Sequence, residues 1–394
     1  MNTQAKTSIF LLVALSSTHL FNDMLQAIIS AVYPLIKSDL SISFAQIGAI
    51  TLSYQISASI FQPIMGFLSD KRPNAYFLPL ALIFTFCGLT TLAYADSFHA
   101  ILISVSVVGI GSSILHPEAA RLTSMASGGR RGLAQSIFQV GGNAGSALGP
   151  LIAALCIAPY GRENIALVAL SAFAGIAIMI PICRWYRTNL HLLKHNKSAI
   201  STRIPHPLNR RQTIITITIL MLLIFSKYLY MASINSYYTF YLIDKFGVSI
   251  PTSQIMLFIF VAATAVGTII GGPIGDRFGR KYVIWASILG CAPFTLMLPH
   301  ASLVGSGVLT FVIGLTLSSA FPAIIVYAQE LLPNHLGLVS GLFYGFAFGI
   351  AGMSSAVLGY FADSCSVETI YQFCAYIPLL GIVAYFLPNL KKPF

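Results

Sequence analysis

Four polar residues recur on one face of an otherwise apolar segment near the start of the chain. The segment runs from about residue 9 to 36, which is long enough to cross a bilayer. Its polar side chains follow the i, i+3, i+4, i+7 spacing of one helical stripe and are His19, Asn22, Asp23 and Gln26. Because an ionised carboxylate facing lipid would be costly, we expect Asp23 to face a protein interior or a wet cavity. Such a residue is typical of an ion or substrate pathway, and the alternative is a carboxylate that only bonds two helices together.

The composition indicates a membrane protein. Of the 394 residues, 56% are hydrophobic and only 8% are charged, whereas soluble domains carry about a quarter charged residues. Twelve apolar segments can be traced between residues 9 and 387, separated by glycine, proline and charged residues. Their lengths favour helices over the short alternating strands of a barrel. We therefore expect an all-α membrane protein with twelve transmembrane helices.

The net charge of +11 reflects topology and not a nucleic-acid partner. With the N-terminus inside, nearly all Lys and Arg of the connecting segments fall on the cytoplasmic side, and only Lys37, Arg162 and Lys245 fall on the other. This positive-inside bias predicts a multi-pass protein with both termini in the cytoplasm. The excess positive charge is expected to contact anionic lipids of the bilayer.

An internal repeat divides the chain into two halves. Residues of the same type recur at a nearly constant separation in corresponding helices. The pairs are Gly66 and Gly272, Asp70 and Asp276, Gly109 and Gly314, and Pro117 and Pro322. Between the halves lies a basic stretch with Pro205 and Pro207. We expect a six-helix bundle at 1–184, a cytoplasmic linker at 185–212 and a second six-helix bundle at 213–394, with a transport site between the bundles.

The segment from Gly272 to Lys281, GPIGDRFGRK, resembles the loop motif of the major facilitator superfamily. The copy in the first half departs from that motif, because Pro73, Asn74 and Ala75 replace its second glycine and its closing basic pair. Four longer runs are very similar to one bacterial branch of the superfamily, and the match extends over essentially the whole chain. They are HLFNDMLQ (19–26), the segment 111–150, FSKYLYMASINSYYTFYL (225–242) and VYAQELLP (326–333).

This resemblance implies a proton-driven efflux pump of the bacterial inner membrane that exports a phosphonate antibiotic, although nothing in periodicity or spacing identifies the drug. In the superfamily, the loop motif latches the two halves and is not a substrate site. The residues expected to act in gating are Asp70, Gly272, Asp276, Arg277, Arg280 and Glu330. The run from Gly145 to Pro150 resembles the antiporter motif of the family, and the alternative is ordinary packing of small residues.

The few charged residues inside the predicted membrane segments fall on helices 1, 4, 7 and 10, which line the central cavity in the superfamily. These residues are Asp23, Glu118, Arg121, Lys227 and Glu330. We expect Asp23 and Glu118 to carry protons. Glu118 and Arg121 have the i, i+3 spacing of a pair on helix 4, with Arg121 as the partner of Glu118 or as a phosphonate contact. The alternative is a buried pair that only fixes helix packing.

Lys227 lies in the middle of helix 7, too deep to reach the membrane surface easily. Tyr230 and Tyr238 fall on roughly the same face, and an ammonium group among phenol hydroxyls suits an oxyanion. The alternative is a structural ion pair with Asp23. Amides on helix 5 could bind substrate or neighbouring helices. The full set of expected substrate contacts is His19, Asn22, His116, Arg121, Gln139, Asn143, Lys227, Tyr230 and Tyr238.

Together with the resemblance, these residues imply a proton-coupled antiporter that exports a small anionic drug by alternating access. We expect it to act as a monomer and to use the proton gradient without a cofactor. No metal site is expected, because His116 and Glu118 lack a third ligand at a suitable spacing. Import or exchange of an anionic metabolite, such as a sugar phosphate or organic acid, stays open because the sequence does not fix direction. No convergent catalytic cluster supports an enzyme, and the two-bundle repeat argues against a channel.

Overall fold

The computed structural model describes residues 8–71, 74–128, 131–189, 208–332 and 336–389, and these ranges contain helices and no strands. The α-helices are, in chain order, α1 Ile9–Ala31, α2 Tyr33–Leu40, α3 Phe44–Lys71, α4 Phe77–Ala93, α5 Phe98–Ala126, α6 Arg131–Ile152, α7 Asn164–Ala169, α8 Ser171–Asn189, α9 Arg210–Phe246, α10 Ile250–Phe278, α11 Arg280–Ile288, α12 Ala292–Met297, α13 Leu303–Leu317, α14 Ala320–Leu331, α15 Leu336–Cys365 and α16 Val367–Cys374. A π-helical turn, Ala153–Ile157, and two 3₁₀ segments, Leu298–His300 and Ile377–Phe386, extend three of them.

The expectation of an all-α membrane protein is confirmed. Nine helical segments within the described ranges are long and apolar enough to cross a membrane. They are Phe98–Thr123, Ile137–Ile157, Asn164–Asn189, Arg210–Phe246, Ile250–Ile270, Arg280–His300, Leu303–Ala328, Leu342–Cys365 and Val367–Phe386. The other three predicted spans correspond to α1, α3 and α4, helices of 23, 28 and 17 residues. Each of the twelve predicted spans therefore contains a helix.

The first predicted span is divided in the structure. A single helix was expected over residues 9–36, but α1 ends at Ala31 and α2 begins at Tyr33. Pro34 lies at the start of α2. Because proline lacks a backbone N–H and clashes with the preceding turn, it favours the first turn of a helix over its interior. The break leaves α1 as the element that carries the polar stripe.

Glycines on α6 bring this helix into direct contact with α1. A Cβ built on Gly141 would overlap the backbone carbonyl of Ser16, and one on Gly145 would overlap that of Leu20. One turn further, a Cβ on Gly149 would come within 2.5 Å of the Ala27 methyl carbon. Only glycine allows two helix backbones to approach this closely. The small residues of α6 therefore position its backbone against the polar face of α1.

The two halves contact each other where α3 begins and α15 ends. The Asp363 carboxylate on α15 accepts hydrogen bonds from the backbone amides of Phe44 (2.7 Å) and Ala45 (2.8 Å) in the first turn of α3. Further along this interface, a Cβ on Gly48 would lie 2.6 Å from the Ala356 Cα. In addition, Gln254 Nε2 on α10 donates to the Ala31 carbonyl at 2.6 Å. The two halves of the molecule are therefore in close contact at the start of α3, the end of α15 and the start of α10.

Helix α15 changes from open to packed along its length. At Gly345 and Gly349 the position of a Cβ has no atom within 4 Å, whereas a Cβ on Gly352 would lie 2.9 Å from the Gln55 Cβ of α3. Close packing of α15 against α3 is therefore seen at Gly352 and toward the C-terminal end of α15, where Asp363 lies.

The linker predicted at 185–212 overlaps the ends of two helices. Helix α8 continues to Asn189 and α9 begins at Arg210. Residues 190–207 lie outside the described part of the chain. At the start of α9, Asn209 accepts a hydrogen bond from the Gln212 amide, and the Gln212 side chain accepts one from the Asn209 amide. This capping box defines where the second half begins.

Candidate functional site

Asp23 lies at the centre of a polar cluster formed by α1 and α5. His19 Nε2 is 3.2 Å from Asp23 Oδ2, and His116 Nε2 is 3.6 Å from Asp23 Oδ1. Asn22 Nδ2 donates a hydrogen bond to Asp23 Oδ1 at 3.0 Å. The side chains of Asp23 and His116 keep 18% and 24% of their surface exposed. As the sequence led us to expect, the carboxylate faces other protein groups, and part of its surface stays exposed.

Backbone carbonyls orient both histidines of this cluster. His19 Nδ1 lies 2.9 Å from the Phe138 carbonyl oxygen, and His116 Nδ1 lies 2.9 Å from the Ser112 carbonyl oxygen. Because a carbonyl can only accept, Nδ1 carries a proton in each ring. The imidazole of His19 also stacks on the Phe138 ring, with 4.1 Å between the centroids. Both Nε2 atoms are thereby directed at the same carboxylate.

Gly142 on α6 forms the wall beside His19 and Asp23. A Cβ at this position would overlap His19 Cε1 and come within 2.8 Å of Asp23 Oδ2. The missing side chain leaves the space that the imidazole and the carboxylate fill. Sequence reasoning did not select Gly142, because a glycine carries no chemistry of its own. The run of two glycines before Asn143 was the only signal that could have indicated it.

A second polar group extends the cluster along α1. Gln26 Oε1 accepts hydrogen bonds from the Tyr54 hydroxyl at 2.5 Å and from Ser112 Oγ at 3.2 Å. On α6, Gln139 Nε2 donates to Asn143 Oδ1 at 3.4 Å. Asn143 Nδ2 is buried and has no hydrogen-bond partner among the described residues. Its two N–H groups therefore remain as donors for a ligand.

The three candidate residues of α5 face different neighbours. His116 faces Asp23 on α1, whereas Glu118 and Arg121 both lie near Tyr186 on α8. Glu118 is almost fully buried, with 1% of its surface exposed, and also lies near Cys183 on α8. The structure thus brings His116 to the Asp23 cluster and places Glu118 with Arg121 in a separate group between α5 and α8. The proton-carrying role of Glu118 stays a prediction.

Lys227 on α9 is a buried cation in aromatic surroundings. It is 5% exposed, and its Nζ donates to the Ser318 carbonyl oxygen at 3.3 Å. The rings of Tyr228 and Phe321 lie 5.5 Å from Nζ, within the range of cation–π attraction. Phe321 in turn contacts Tyr344 on α15, with 5.0 Å between centroids. No carboxylate of the described residues pairs with Lys227, so an ion pair with Asp23 is not formed in this conformation.

The other predicted tyrosines lie in a different cluster. Tyr238 stacks near Tyr241 and Tyr371, with centroids 6.3 Å away in both cases. The Tyr238 hydroxyl lies 3.3 Å from Thr310 Oγ1, and the Tyr230 hydroxyl is buried with no hydrogen-bond partner among the described residues. Two aromatic rings lie next to Lys227, those of Tyr228 and Phe321, and neither was predicted from the sequence. Tyr228 is adjacent to Lys227 and so does not share its helical face, and Phe321 belongs to another helix.

Most of the predicted gating residues lie where the structure describes the helix but not the side chain. These are Asp70, Gly272, Asp276, Arg277 and Glu330. Arg280 begins α11 directly after Gly279, whose φ of +98° separates α10 from α11. Such a φ is readily adopted only by glycine, which explains why the loop motif has a glycine at position 279. The gating roles stay predictions.

Comparison with known proteins agrees with this architecture. The profile of the Major Facilitator Superfamily matches residues 15–237 and 220–393. The chain is 55% identical over 387 residues to the "Fosmidomycin resistance protein" of Escherichia coli strain K12, covering 98% of this chain and 95% of that protein. It is also 39% identical over 388 residues to an uncharacterized MFS-type transporter, YfnC, of Bacillus subtilis strain 168, covering 97% and 93%.

Solved transporters share the fold at low sequence identity. A D-xylose–proton symporter superposes with a TM-score of 0.73 at 16% identity, covering 98% of this chain and 100% of that one. A bacterial homologue of the human lysosomal transporter Spinster, in an inward-facing and occupied conformation, gives a TM-score of 0.69 at 16% identity, covering 95% and 93%. The resemblance predicted from the sequence is confirmed, and the chain belongs to the Major Facilitator Superfamily.

Proposed function

We propose that this protein exports fosmidomycin, and related small anionic phosphonates, across the bacterial inner membrane in exchange for protons. The observation that carries the proposal is the 55% identity, over almost the entire length of both chains, to a protein named for fosmidomycin resistance. Two groups suited to an anion support it, because the second half presents a buried ammonium group at Lys227 and the first half presents the Asn143 side-chain amide, whose Nδ2 has no hydrogen-bond partner among the described residues.

Two carboxylates are available to carry protons in such an exchange. Asp23 lies between two histidines with 18% of its side chain exposed, and Glu118 is buried near Arg121 and Tyr186. Each proton gained or lost changes the charge of the cavity by one unit, and the low dielectric of the site makes that change large in energy. We assign proton coupling to these two residues, with Asp23 as the one that exchanges protons directly with cavity water.

Alternating access would proceed by opening the contact between the halves at α3 and α15. The strongest polar element of that contact is the Asp363 carboxylate, which caps the first turn of α3 with two backbone hydrogen bonds. A carboxylate at a helix N-terminus is stabilised by unpaired N–H groups and by the helix dipole. We assign Asp363 as a latch that keeps the outer side closed while the cavity is open to the cytoplasm.

Replacing Asp363 with alanine is expected to shift the protein toward its outward-open state. Loss of a helix cap costs about 1 kcal/mol, which corresponds to roughly a fivefold change in the equilibrium. A cysteine placed at Ser236, buried in the outer contact, should then react faster with an impermeant thiol reagent added from outside. Ser364→Ala is the matched control, because this neighbouring hydroxyl bonds only to its own helix. Equal labelling rates in both variants would remove Asp363 from the latch.

The proposed cargo and direction are tested by drug susceptibility. Cells that lack the gene should become more sensitive to fosmidomycin, and cells that overproduce the protein should become more resistant. An importer of an anionic metabolite would give the opposite change if it carried the drug, and no change if it did not. Either of those results would contradict export of fosmidomycin.

A further inference from the structure

We propose that His19, Asp23 and His116 together bind a divalent transition-metal ion such as Zn²⁺ where α1 and α5 meet. Each of the three side chains offers one ligand atom, and these atoms all lie within 4.8 Å of one another. No metal site was expected from the sequence, because His116 and Glu118 lack a third ligand at a suitable spacing. The fold supplies the missing ligands from α1.

The separations between the ligand atoms are compatible with a metal ion among them. His19 Nε2 lies 3.2 Å from Asp23 Oδ2 and His116 Nε2 lies 3.6 Å from Asp23 Oδ1, so each ring faces a different oxygen of the carboxylate. A charge-assisted N–H···O⁻ bond is typically about 2.7–2.9 Å long. Ligand atoms placed at zinc distances of about 2.0–2.1 Å in a tetrahedron are about 3.4 Å apart. Two histidines and one carboxylate leave a fourth position open, which water or an anionic oxygen of the cargo can fill.

The groups that hold the three candidate ligands in place are of the kind found around metal sites. Metal-ligating histidines almost always donate their other ring N–H to a carbonyl or carboxylate, which fixes the tautomer and directs the lone pair at the ion. Both histidines meet this requirement, His19 through the Phe138 carbonyl and His116 through the Ser112 carbonyl. The ligating carboxylate is itself held by the Asn22 side-chain amide. In neutral histidines these lone pairs would face the carboxylate oxygens, and a cation between them removes that repulsion.

Rigidity and charge give two further reasons for this assignment. His19 is 2% exposed and is enclosed by the Phe138 ring and by Gly142, whose lack of a side chain leaves just enough room for it. A ligand held this firmly loses little freedom when an ion binds. An ion of charge +2 would also leave the cluster with a net positive charge, because Asp23 is the one carboxylate among its three ligands. The site would then attract an anionic cargo in the half of the molecule that lies opposite Lys227.

The experiment measures binding of Zn²⁺ and Co²⁺ alone to the purified full-length protein in detergent, prepared with an affinity tag free of histidine. Wild type should bind Zn²⁺ saturably by calorimetry, gain thermal stability on its addition and give the visible absorption of four-coordinate Co²⁺. His19→Gln and His116→Gln should each weaken Zn²⁺ binding at least tenfold and lose the Co²⁺ absorption. His99→Gln is the matched control, because this exposed histidine lies at the other end of α5.

Thermal melting without metal shows that each variant is folded before its affinity is compared. Binding of equal affinity in wild type and both variants would overturn the proposal, as would a wild-type protein that binds neither metal, in which case protons alone occupy the cluster. No drug and no pH gradient are used, so failure of this inference would leave the proposed export function unaffected.

Discussion

Replacing Asp23 with asparagine is expected to lower the rate of export that depends on the pH gradient. The variant keeps the shape of the side chain but removes the charge that faces His19, His116 and Asn22. Loss of interactions with a charged group costs roughly 1.5–3 kcal/mol, so the gradient-dependent rate should fall by about tenfold or more. The rate is measured as drug uptake into inverted membrane vesicles with and without an imposed pH gradient.

Two further variants make this prediction specific. Asp96→Asn removes the same charge from an exposed loop position and should leave transport unchanged. Glu118→Gln separates the two proposed proton carriers: impaired coupling in this variant would make Glu118 a carrier too, whereas a merely unstable protein would indicate that it only fixes the packing of α5 against α8. Full gradient-dependent export in both Asp23→Asn and Glu118→Gln would contradict the assignment of proton coupling.

Replacing Lys227 with methionine is expected to stabilise the protein and to weaken drug binding. A charged side chain at the centre of a membrane helix costs about 2.5–3.5 kcal/mol, and among the described residues Lys227 recovers part of this from one carbonyl and two aromatic rings. Methionine fills a similar volume without the charge, so the melting temperature should rise by a few degrees. Loss of the charge-assisted contact with an anion should weaken drug affinity by roughly 10- to 100-fold.

Lys245→Met is the matched control for this substitution. Lys245 lies on the same helix as Lys227 but near its end, where it pairs with Glu368 at 3.5 Å and donates to the Tyr241 hydroxyl at 3.0 Å. Its removal should lower the melting temperature slightly and leave drug affinity unchanged. If Lys227→Met lowers stability and binds the drug as wild type does, then Lys227 is a structural residue and not a substrate contact.

The helices and the polar face of α1 could be predicted because both depend on local sequence. The length of each apolar segment indicates a span, and the spacing of His19, Asn22, Asp23 and Gln26 fixes one face of one helix. The break at Val32 could have been predicted from Pro34 but was not, because apolar character continues across it. The family was predicted from motifs, and the repeat indicated two related halves.

The composition of the site depended on packing between distant helices and could not be predicted in the same way. His116 reaches Asp23 across the contact of α5 with α1, while Glu118, two residues later, faces α8. The i, i+2 spacing places His116 and Glu118 on different faces of α5, but it does not say which face meets α1 and which meets α8. Likewise, Lys227 contacts Phe321 of α14, and helical periodicity on α9 instead indicated Tyr230 and Tyr238. Gly142 contributes to the site because the absence of a side chain leaves room for His19 and Asp23.

The central claim is that the protein moves an anionic phosphonate outward in exchange for protons, and one measurement tests it most directly. Inverted vesicles containing the wild-type protein are given labelled fosmidomycin, with their lumen either acidic or at the external pH. Export coupled to protons predicts uptake against a concentration gradient that requires the acidic lumen and collapses when a protonophore is added. Uptake of equal extent with and without the pH gradient, or no uptake of the drug at all, would contradict the account.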